Sequence, residues 1–213
     1  MPSKPLFVTV AGNIGAGKSS LTRLLAERFH WKPYFESVED NPYLSDFYAD
    51  MKRWSFHLQV YFLSHRFMDH RHISEGVNSV IQDRSIYEDA EIFARNLFEM
   101  GRMEGRDYEN YVSLFGAMTE YLRPPDLMIY LKASVDTLLR QIARRGRDFE
   151  KGIERAYLEK LNQHYNDWIG RYNIGPLLVI PSDNLDFVNR RDDLAMIIEL
   201  VTQKIPQLQL FEK

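Results

Sequence analysis

The sequence predicts an α/β fold in which five parallel strands form a sheet flanked by helices. Short runs of apolar, often β-branched residues alternate along the chain with longer segments whose apolar residues recur every three or four positions. The short runs predict buried strands, and the longer segments predict amphipathic helices. Because a helix between two strands returns the chain to the same end of the sheet, this alternation favours parallel strands with helices on both faces.

Each element is assigned from these patterns in chain order. The predicted strands cover 6–11, 34–36, 79–82, 126–131 and 177–180. The predicted helices cover 18–29, 43–50, 53–74, 86–100, 107–122, 134–144, 154–172 and 188–203. Pro124 and Pro125 follow the fifth helix and end it, because proline lacks the backbone N–H that a helix needs.

The composition excludes several classes of protein and partner. With 213 residues, of which 45% are hydrophobic, the chain can bury one sizeable core, so we expect a single domain spanning 1–213. A formal net charge of −3 argues against a nucleic-acid polymer or an anionic membrane as partner and favours a small molecule. The lack of cysteine excludes disulfides and thiolate metal sites, and it suits a reducing cytoplasm. No apolar stretch approaches the roughly 20 residues that span a bilayer.

The segment GNIGAGKS, residues 12–19, matches the phosphate-binding pattern G-x-x-x-x-G-K-[ST] between a predicted strand and a predicted helix. Its glycines let backbone N–H groups turn toward phosphate oxygens, Lys18 can reach the outer phosphates, and Ser19 can bind Mg²⁺. These groups suit a nucleoside triphosphate with magnesium. The residues predicted to contact it are Gly12, Asn13, Ile14, Gly15, Ala16, Gly17, Lys18, Ser19 and Ser20.

Charged residues at two strand ends are candidates for acid–base and phosphoryl-transfer chemistry. Glu36 ends the second apolar run, and Asp83 and Arg84 follow the third. Because the carboxyl ends of parallel strands line a ligand crevice, these side chains are expected near the transferred phosphate. Glu36 could accept a hydroxyl proton, Asp83 could hold Mg²⁺ directly or through water, and Arg84 could neutralise developing charge. A solvated loop carboxylate and a structural Asp–Arg pair are the alternatives.

Several motifs together resemble one known family. They are GNIGAGKS (12–19), Glu36, FYADMKRWSFHLQ (47–59), DRS (83–85) and RRGRDFEKGI (144–153). In this order they resemble the deoxyribonucleoside kinases, a family that includes deoxycytidine, deoxyguanosine and bacterial deoxyadenosine kinases. The resemblance implies a P-loop kinase fold with a short arginine-rich lid at about 144–153. It also implies transfer of the γ-phosphoryl group of ATP, with Mg²⁺, to the 5′-hydroxyl of a deoxyribonucleoside.

The resemblance assigns residues around the sugar of this substrate. Glu36 would be the general base on the 5′-hydroxyl, and Arg84 would steady that hydroxyl and the transition state. Tyr48 and Glu150 would hold the 3′-hydroxyl, with Glu150 coming from the lid.

Other residues are implied at the base. Gln59 would read the Watson–Crick edge, with Arg66 and Asp89 beside it, and Phe93 would pack against the ring. The spacing agrees, because Gln59 and Arg66 share one helix face while Asp89 and Phe93 lie one turn apart on the next helix. Asp89 favours a base that carries an amino group over thymine.

The lid is expected to direct Arg145 and Arg147 toward the donor phosphates, since a guanidinium fork suits phosphate geometry. The earlier lid arginine that is usual in the family corresponds to Gln141 here. Its neighbours Arg140 and Arg144 could substitute for it.

Two further segments refine the resemblance. IPSDNLDFVNRRDD (180–193) resembles the loop that closes over the donor base, with Asp186 and Phe187 in the matching places. EDNPYL after Glu36 lacks the tryptophan of the animal members and resembles the bacterial branch. Deoxyadenosine is therefore the first expected substrate, followed by deoxyguanosine and deoxycytidine.

Other functions fit the sequence less well. Thymidylate-like nucleoside monophosphate kinases share the phosphate loop and a DR motif, but their acceptor already carries a phosphate, which Glu36 would repel. A non-catalytic nucleotide sensor would need neither Glu36 nor Arg84. A regulatory GTPase is disfavoured because DWIG (167–170) lies in a helical pattern and the chain has no N-K-x-D motif.

The helices at 53–74 and 107–122 predict a homodimer, since family members usually pair through the corresponding helices. Both carry more apolar residues than one buried stripe needs: Tyr61, Phe62, Phe67, Met68, Tyr111, Leu114, Phe115, Met118 and Tyr121. A contiguous exposed apolar patch usually marks an interface. The alternative is that the two helices cover each other.

Overall fold

The computed structural model of the chain has a five-stranded parallel sheet, as the sequence predicts. It describes residues 4–35, 41–150, 152–205 and 208. The strands are β1 (Phe7–Gly12), β2 (Lys32–Tyr34), β3 (Val80–Asp83), β4 (Leu127–Lys132) and β5 (Leu177–Pro181). They lie in the order β2-β3-β1-β4-β5, and the pairings between neighbours are parallel.

Helices connect these strands. They are α1 (Lys18–Phe29), α2 (Leu44–Ala49), α3 (Met51–Glu75), α4 (Ile86–Glu88), α5 (Arg95–Glu99), α6 (Gly105–Thr119), α7 (Val135–Arg145), α8 (Arg155–Gly170) and α9 (Arg191–Lys204). A π-helix, Asp89–Ala94, joins α4 to α5, and Asp148–Glu150 form one turn of 3₁₀-helix. None of the helices in the described part of the chain is long and apolar enough to cross a membrane.

The second strand differs most from the sequence prediction. It covers Lys32–Tyr34 rather than 34–36. Pro33 does not suggest a strand, because proline cannot donate a sheet hydrogen bond, but β2 is an edge strand and edge strands tolerate proline. Glu36, which the sequence predicts at the end of this strand, lies outside the described residues.

The last helix begins at Arg191 rather than at 188 because side chains hold the preceding residues in a turn. The carboxylate of Asp193 accepts a hydrogen bond from the backbone N–H of Asp186 at 2.6 Å. It also forms an ion pair with Arg190 at 2.6 Å. These contacts stabilise the loop that leads from β5 into α9.

Apolar side chains fill both faces of the sheet. Along β4, Leu127, Ile129 and Leu131 pack with the helices on one face, while Met128 and Tyr130 pack with those on the other. This alternation follows from the two-residue repeat of a strand. All five side chains are buried, as a parallel sheet covered on both faces requires. The carboxyl ends of β1 and β3 are adjacent in this sheet, which positions the site between them.

Candidate active site

The phosphate loop connects β1 to α1 through backbone conformations that favour glycine. Gly15 and Gly17 have φ angles of 83° and 91°. A Cβ atom at Gly15 would lie 2.8 Å from the carbonyl oxygen of Leu138 and 2.9 Å from Cγ1 of Ile142. The phosphate loop is therefore packed against α7, and a side chain at Gly15 would push the loop and α7 apart.

Two residues predicted to contact the donor support the loop from within the protein. Asn13 Nδ2 donates to Oδ1 of Asn162 at 2.7 Å and to the carbonyl of Leu158 at 3.1 Å, both on α8. The N–H of Gly12 donates to the buried carboxylate of Glu88 at 3.3 Å. Neither Gly12 nor Asn13 lines the two cavities beside the loop. The structure thus gives both residues a supporting position, and their contact with the donor stays a prediction.

The lysine and serine of the loop lie at the start of α1. Lys18 is buried, and its Nζ donates to the carbonyl of Asn13 at 3.1 Å. Ser19 Oγ donates to Oδ2 of Asp83 at 2.5 Å, which joins the loop to the end of β3. A hydroxyl and a carboxylate are the hard oxygen ligands that Mg²⁺ takes, and oxygens this close can bind one cation. Ser19 and Asp83 therefore fit the predicted magnesium site.

A cavity of about 430 Å³ opens beside the phosphate loop. From the loop and the end of β3 it is lined by Ile14, Gly15, Lys18, Ser19, Asp83 and Arg84. From the helices and the lid it is lined by Tyr48, Gln59, Arg66, Asp89, Phe93, Arg145, Arg147 and Glu150, among others. Glu36 lies outside the described residues, and its neighbour Phe35 lines the cavity. The described residues that the sequence predicts around the acceptor are thus brought together.

Buried polar groups form one part of this cavity. Nε of Arg66 lies 2.9 Å from Oδ1 and 2.7 Å from Oδ2 of Asp89, and both side chains are at most 5% exposed. Gln59 is buried as well. Within the described ranges, no group lies within hydrogen-bonding distance of its amide oxygen. Buried polar atoms are normally paired, so a ligand with its own donor would complete the hydrogen bonding here.

The π-helix Asp89–Ala94 carries two of the cavity residues, Asp89 and Phe93. The sequence predicts uninterrupted α-helix over 86–100, and the structure corrects this. A π-helical turn holds one more residue than an α-helical turn, and such turns occur frequently at functional sites. Apolar periodicity does not distinguish one wider turn from the rest of a helix.

Arg84 enters the cavity from a restrained backbone. Its φ is 69°, a left-handed conformation that is uncommon for a residue other than glycine. Its N–H donates to the carbonyl of Val10 at 2.9 Å. Its guanidinium carbon lies 4.3 Å from the centre of the Phe93 ring, and Nη1 donates to the hydroxyl of Tyr165 at 2.9 Å. Backbone and side chain together fix the direction of this arginine.

A comparison with known families identifies the chain. The model of the deoxynucleoside kinase family matches residues 8–206, almost the whole sequence. The chain belongs to the deoxynucleoside kinase family. It is therefore an enzyme, as the motifs predict.

Individual relatives agree with this assignment. A deoxyadenosine/deoxycytidine kinase of Bacillus subtilis is 42% identical over 204 residues, which cover 95% of this chain and 94% of the relative. A deoxyguanosine kinase of Lactobacillus acidophilus is 36% identical and covers 94% of this chain and 91% of its own length.

Solved structures are similar as well. A deoxyadenosine kinase from M. mycoides, with the products dCMP and a flexible dCDP bound, superposes with a TM-score of 0.83 at 27% identity, over 93% of this chain and 100% of the other. A structure of that kinase with bound dATP gives a TM-score of 0.82 at 26% identity, over 92% and 99%. This kinase therefore has the P-loop kinase fold.

In this deoxynucleoside kinase the lid arginines contact Glu150. Nε and Nη2 of Arg145 donate to the two carboxylate oxygens at 3.0 and 2.5 Å. Nη1 of Arg147 lies 3.6 Å from the same carboxylate. Glu150 is buried within the 3₁₀ turn. The predicted phosphate ligands and the predicted sugar ligand thus lie side by side.

A second cavity of the kinase, of about 360 Å³, also borders the phosphate loop. Loop residues Ala16, Gly17 and Ser20 line it, as do Gln141, Arg144, Arg145, Arg147, Asp186 and Phe187. Arg140 is not among the lining residues; its Nη2 donates to Thr137 at 2.8 Å. Of the two neighbours of Gln141, Arg144 is therefore the one that faces this cavity.

The two residues predicted at the donor base differ in how they are held. Phe187 is buried, and its Cζ would lie 3.1 Å from a Cβ atom at Gly17, so the ring packs against the phosphate loop. The carboxylate of Asp186 accepts hydrogen bonds from the backbone and side chain of Asn189. This carboxylate is therefore engaged within its own loop, and the contact of Asp186 and Phe187 with the donor base stays a prediction.

Three residues of the kinase site were not anticipated from the sequence. Tyr157 lines the first cavity, and burial raises its pKa to about 12. Tyr165 and Glu88 contact Arg84, whose Nη1 donates to the tyrosine hydroxyl and lies 3.6 Å from the carboxylate. The tyrosines lie eight residues apart on one face of α8, a spacing that also describes ordinary core residues. Glu88 follows Ser85 by three residues, a spacing that indicates a helix cap. The sequence therefore suggested only structural roles for the two tyrosines and for Glu88.

Proposed function

We propose that this kinase transfers the γ-phosphoryl group of ATP, with Mg²⁺, to the 5′-hydroxyl of a deoxyribonucleoside whose base carries an amino group. The proposal rests on one observation, a single cavity that contains Lys18 and Ser19 together with Gln59, Arg66 and Asp89. Phosphate-binding groups and buried polar groups in one cavity bring donor and acceptor within reach of each other, which is the main requirement of phosphoryl transfer.

The donor would bind with its base in the second cavity and its phosphates over the loop. Backbone N–H groups, the N-terminus of α1 and Lys18 stabilise negative charge there. Magnesium, when bound by Ser19 and Asp83, would neutralise and orient the phosphate oxygens. Arg145 and Arg147 line both cavities, which supports a role at the transferred group. We assign the position of the earlier lid arginine to Arg144.

The acceptor would lie in the first cavity with its 5′-hydroxyl toward the loop. Glu36 would accept the hydroxyl proton, and Arg84 would stabilise charge that develops between the hydroxyl oxygen and the phosphoryl group. Tyr48 and Glu150 would hold the 3′-hydroxyl. Phe93 would pack against the base.

The base we propose first is adenine, followed by guanine and cytosine. Asp89 can accept a hydrogen bond from an exocyclic amine or a ring N–H, and Arg66 holds its carboxylate in place. The amide of Gln59 offers both a donor and an acceptor. The relatives from Bacillus subtilis and Lactobacillus acidophilus, whose names include deoxyadenosine, deoxycytidine and deoxyguanosine, support a base that carries an amino group.

A panel of deoxynucleosides and nucleoside monophosphates, assayed with labelled ATP, tests the reaction. We expect label on the nucleosides and none on the monophosphates. Glu36→Gln should keep nucleoside affinity within about an order of magnitude and lower turnover by about 10², the usual contribution of a positioned general base. Glu75→Gln, at the exposed end of α3, makes the same charge change away from the cavity and should leave turnover intact.

Three other results of these assays would contradict parts of the proposal. Phosphorylation of monophosphates alone would assign the protein to the nucleoside monophosphate kinases. Nucleotide binding without any transfer would indicate a sensor. Near-normal turnover in Glu36→Gln would remove Glu36 as the base.

We also propose a homodimer that pairs through α3 and α6. Met68 on α3 and Leu114 on α6 are 50% and 39% exposed, and Tyr121, two residues after α6, is 85% exposed. Two residues of the predicted patch belong to the interior of the subunit instead, because Tyr111 is fully buried and Phe62 lines the acceptor cavity. The remaining apolar side chains on these helices support an interface that is the same on both subunits.

Light scattering tests the dimer. The wild-type protein should give twice the 25.2 kDa mass of one chain. Leu114→Glu should give the mass of one chain, because a charge at the interface would have to be desolvated. Met196→Glu on α9 is a matched control, since Met196 is 41% exposed, and it should remain dimeric. A wild-type mass of one chain would exclude the dimer.

Two broader expectations accompany the proposal. We propose that residues 1–213 form one kinase domain with a lid at about 144–153. We propose the cytoplasm as its location, since a chain without cysteine suits a reducing compartment.

A further inference from the structure

Glu88 is a fully buried carboxylate that no part of the proposed chemistry uses. Its Oε2 accepts hydrogen bonds from the N–H and the hydroxyl of Ser85, at 2.8 and 3.2 Å. Its Oε1 accepts from the N–H of Gly12 at 3.3 Å and from the hydroxyl of Tyr165 at 2.7 Å. The carboxylate therefore connects the start of α4, the phosphate loop and α8.

A helix cap explains only half of this arrangement. Ser85 and Glu88 form a capping box, in which Oε2 accepts from the backbone N–H of the N-cap residue Ser85. The cap does not require Oε1, and a neutral glutamine would serve a capping box as well. Burying a full negative charge is costly unless it is paired and hydrogen-bonded. The contacts of Oε1 therefore call for a separate explanation.

Oε1 faces the arginine of the acceptor cavity. Nη1 of Arg84 lies 3.6 Å from Oε1 of Glu88 and donates to the hydroxyl of Tyr165 at 2.9 Å. Burial raises the pKa of Tyr165 well above its usual range, so this hydroxyl stays protonated. It accepts from Arg84 and can donate its one proton to Glu88 at 2.7 Å or to the carbonyl of Gly12 at 2.8 Å. One side of the guanidinium is thus anchored on Glu88 and Tyr165, while Arg84 also lines the cavity and lies over Phe93.

We propose that Glu88 and Tyr165 are positioning residues that hold Arg84 toward the reacting hydroxyl and fix it relative to Gly12 at the start of the phosphate loop. This inference rests on the proposed role of Arg84. Oε1 of Glu88 then sets the distance between the phosphate loop, which binds the donor phosphates, and Arg84, which stabilises the transferred phosphoryl group. Misplacement of such groups lowers the rate of the chemical step more than it lowers binding.

Glu88→Gln tests the proposal. Whichever way the amide turns, its NH₂ group meets an N–H of Ser85 or Gly12, and the charge that attracts Arg84 is lost. We expect kcat to fall about 10-fold or more, with the KM for the nucleoside within about threefold, as loss of a hydrogen bond to a charged group in the transition state predicts. Tyr165→Phe, which removes only a hydroxyl, should behave in the same way. Ser85→Ala removes the capping hydroxyl without touching Oε1, and its kcat should stay within about threefold.

A double-mutant cycle separates positioning from a structural role. In an Arg84→Lys background, Glu88→Gln should change kcat by less than about twofold, because the residue it positions is already absent. A purely structural defect would reduce kcat by the same factor in both backgrounds, and this result would overturn the inference. Normal kcat in Glu88→Gln or in Tyr165→Phe would also overturn it. If Glu88→Gln does not fold, the same cycle with Tyr165→Phe decides the question. Full activity of Arg84→Lys would instead contradict the proposed role of Arg84.

Discussion

Lys18→Ala should lower kcat/KM for ATP by about 10²- to 10³-fold, the range observed when one preorganised group that stabilises transition-state charge is removed. Lys18 is buried at the start of α1, and its ammonium group is held over the loop by the carbonyl of Asn13 at 3.1 Å. In a site shielded from water, a fixed positive charge interacts with phosphate more strongly than it would in solution. Both donor binding and the transfer step should therefore suffer.

The control for this variant is Lys132→Ala. Lys132 ends β4, the strand next to β1, but it is exposed and lines neither cavity. Both variants lose one positive charge, so a decrease in kcat/KM that occurs only in Lys18→Ala cannot come from the change in net charge. Binding of the deoxynucleoside, measured by calorimetry without ATP, should be unchanged in both. If Lys18→Ala kept kcat/KM within about tenfold of wild type, the loop would not hold the transferred phosphates as proposed.

The order of the elements could be predicted because burial leaves a clear period in the sequence. Strands β1 and β4 lie inside the sheet, are buried along almost their whole length and read as mainly apolar runs. β2 is harder to recognise, because it is an edge strand of only three residues and includes Pro33. The π-helix at Asp89–Ala94 was missed for a different reason, since one wider turn leaves the apolar pattern of the surrounding helix unchanged.

The residues of the candidate site could be predicted where they belong to recognisable sequence motifs. Lys18, Gln59 and Asp89 come from segments far apart in the chain, and the structure brings them into one cavity. What could not be predicted is the set of contacts that holds them, such as the positive φ of Arg84 and its contact with Tyr165. The contact depends on the relative position of β3 and α8, which no local pattern records.

We expect the stability of the fold and the selection of the base both to depend on the charges of Arg66 and Asp89. Both side chains are at most 5% exposed. Removing one partner leaves the other charge buried without its ion pair, a change that typically costs 3–5 kcal/mol, so Arg66→Met and Asp89→Ala should each lower the free energy of unfolding by about that amount. The exposed pair of Arg95 and Glu99 is a matched control, and Arg95→Ala should cost less than about 1 kcal/mol.

The double variant Arg66→Met/Asp89→Ala distinguishes folding from recognition. Removing both charges leaves neither partner of this pair as an uncompensated ion, so most of the lost stability should return. Selectivity should not return with it, because the cavity then lacks the acceptor that Asp89 offers to a base amino group. We expect the ratio of kcat/KM for deoxyadenosine to that for thymidine to fall about 10- to 100-fold, the value of one buried hydrogen bond to a charged group. Chemical denaturation gives the stability, and kcat/KM for the four common deoxynucleosides gives the selectivity. A stable double variant that still preferred deoxyadenosine over thymidine would mean that Gln59 and the shape of the cavity select the base without Asp89.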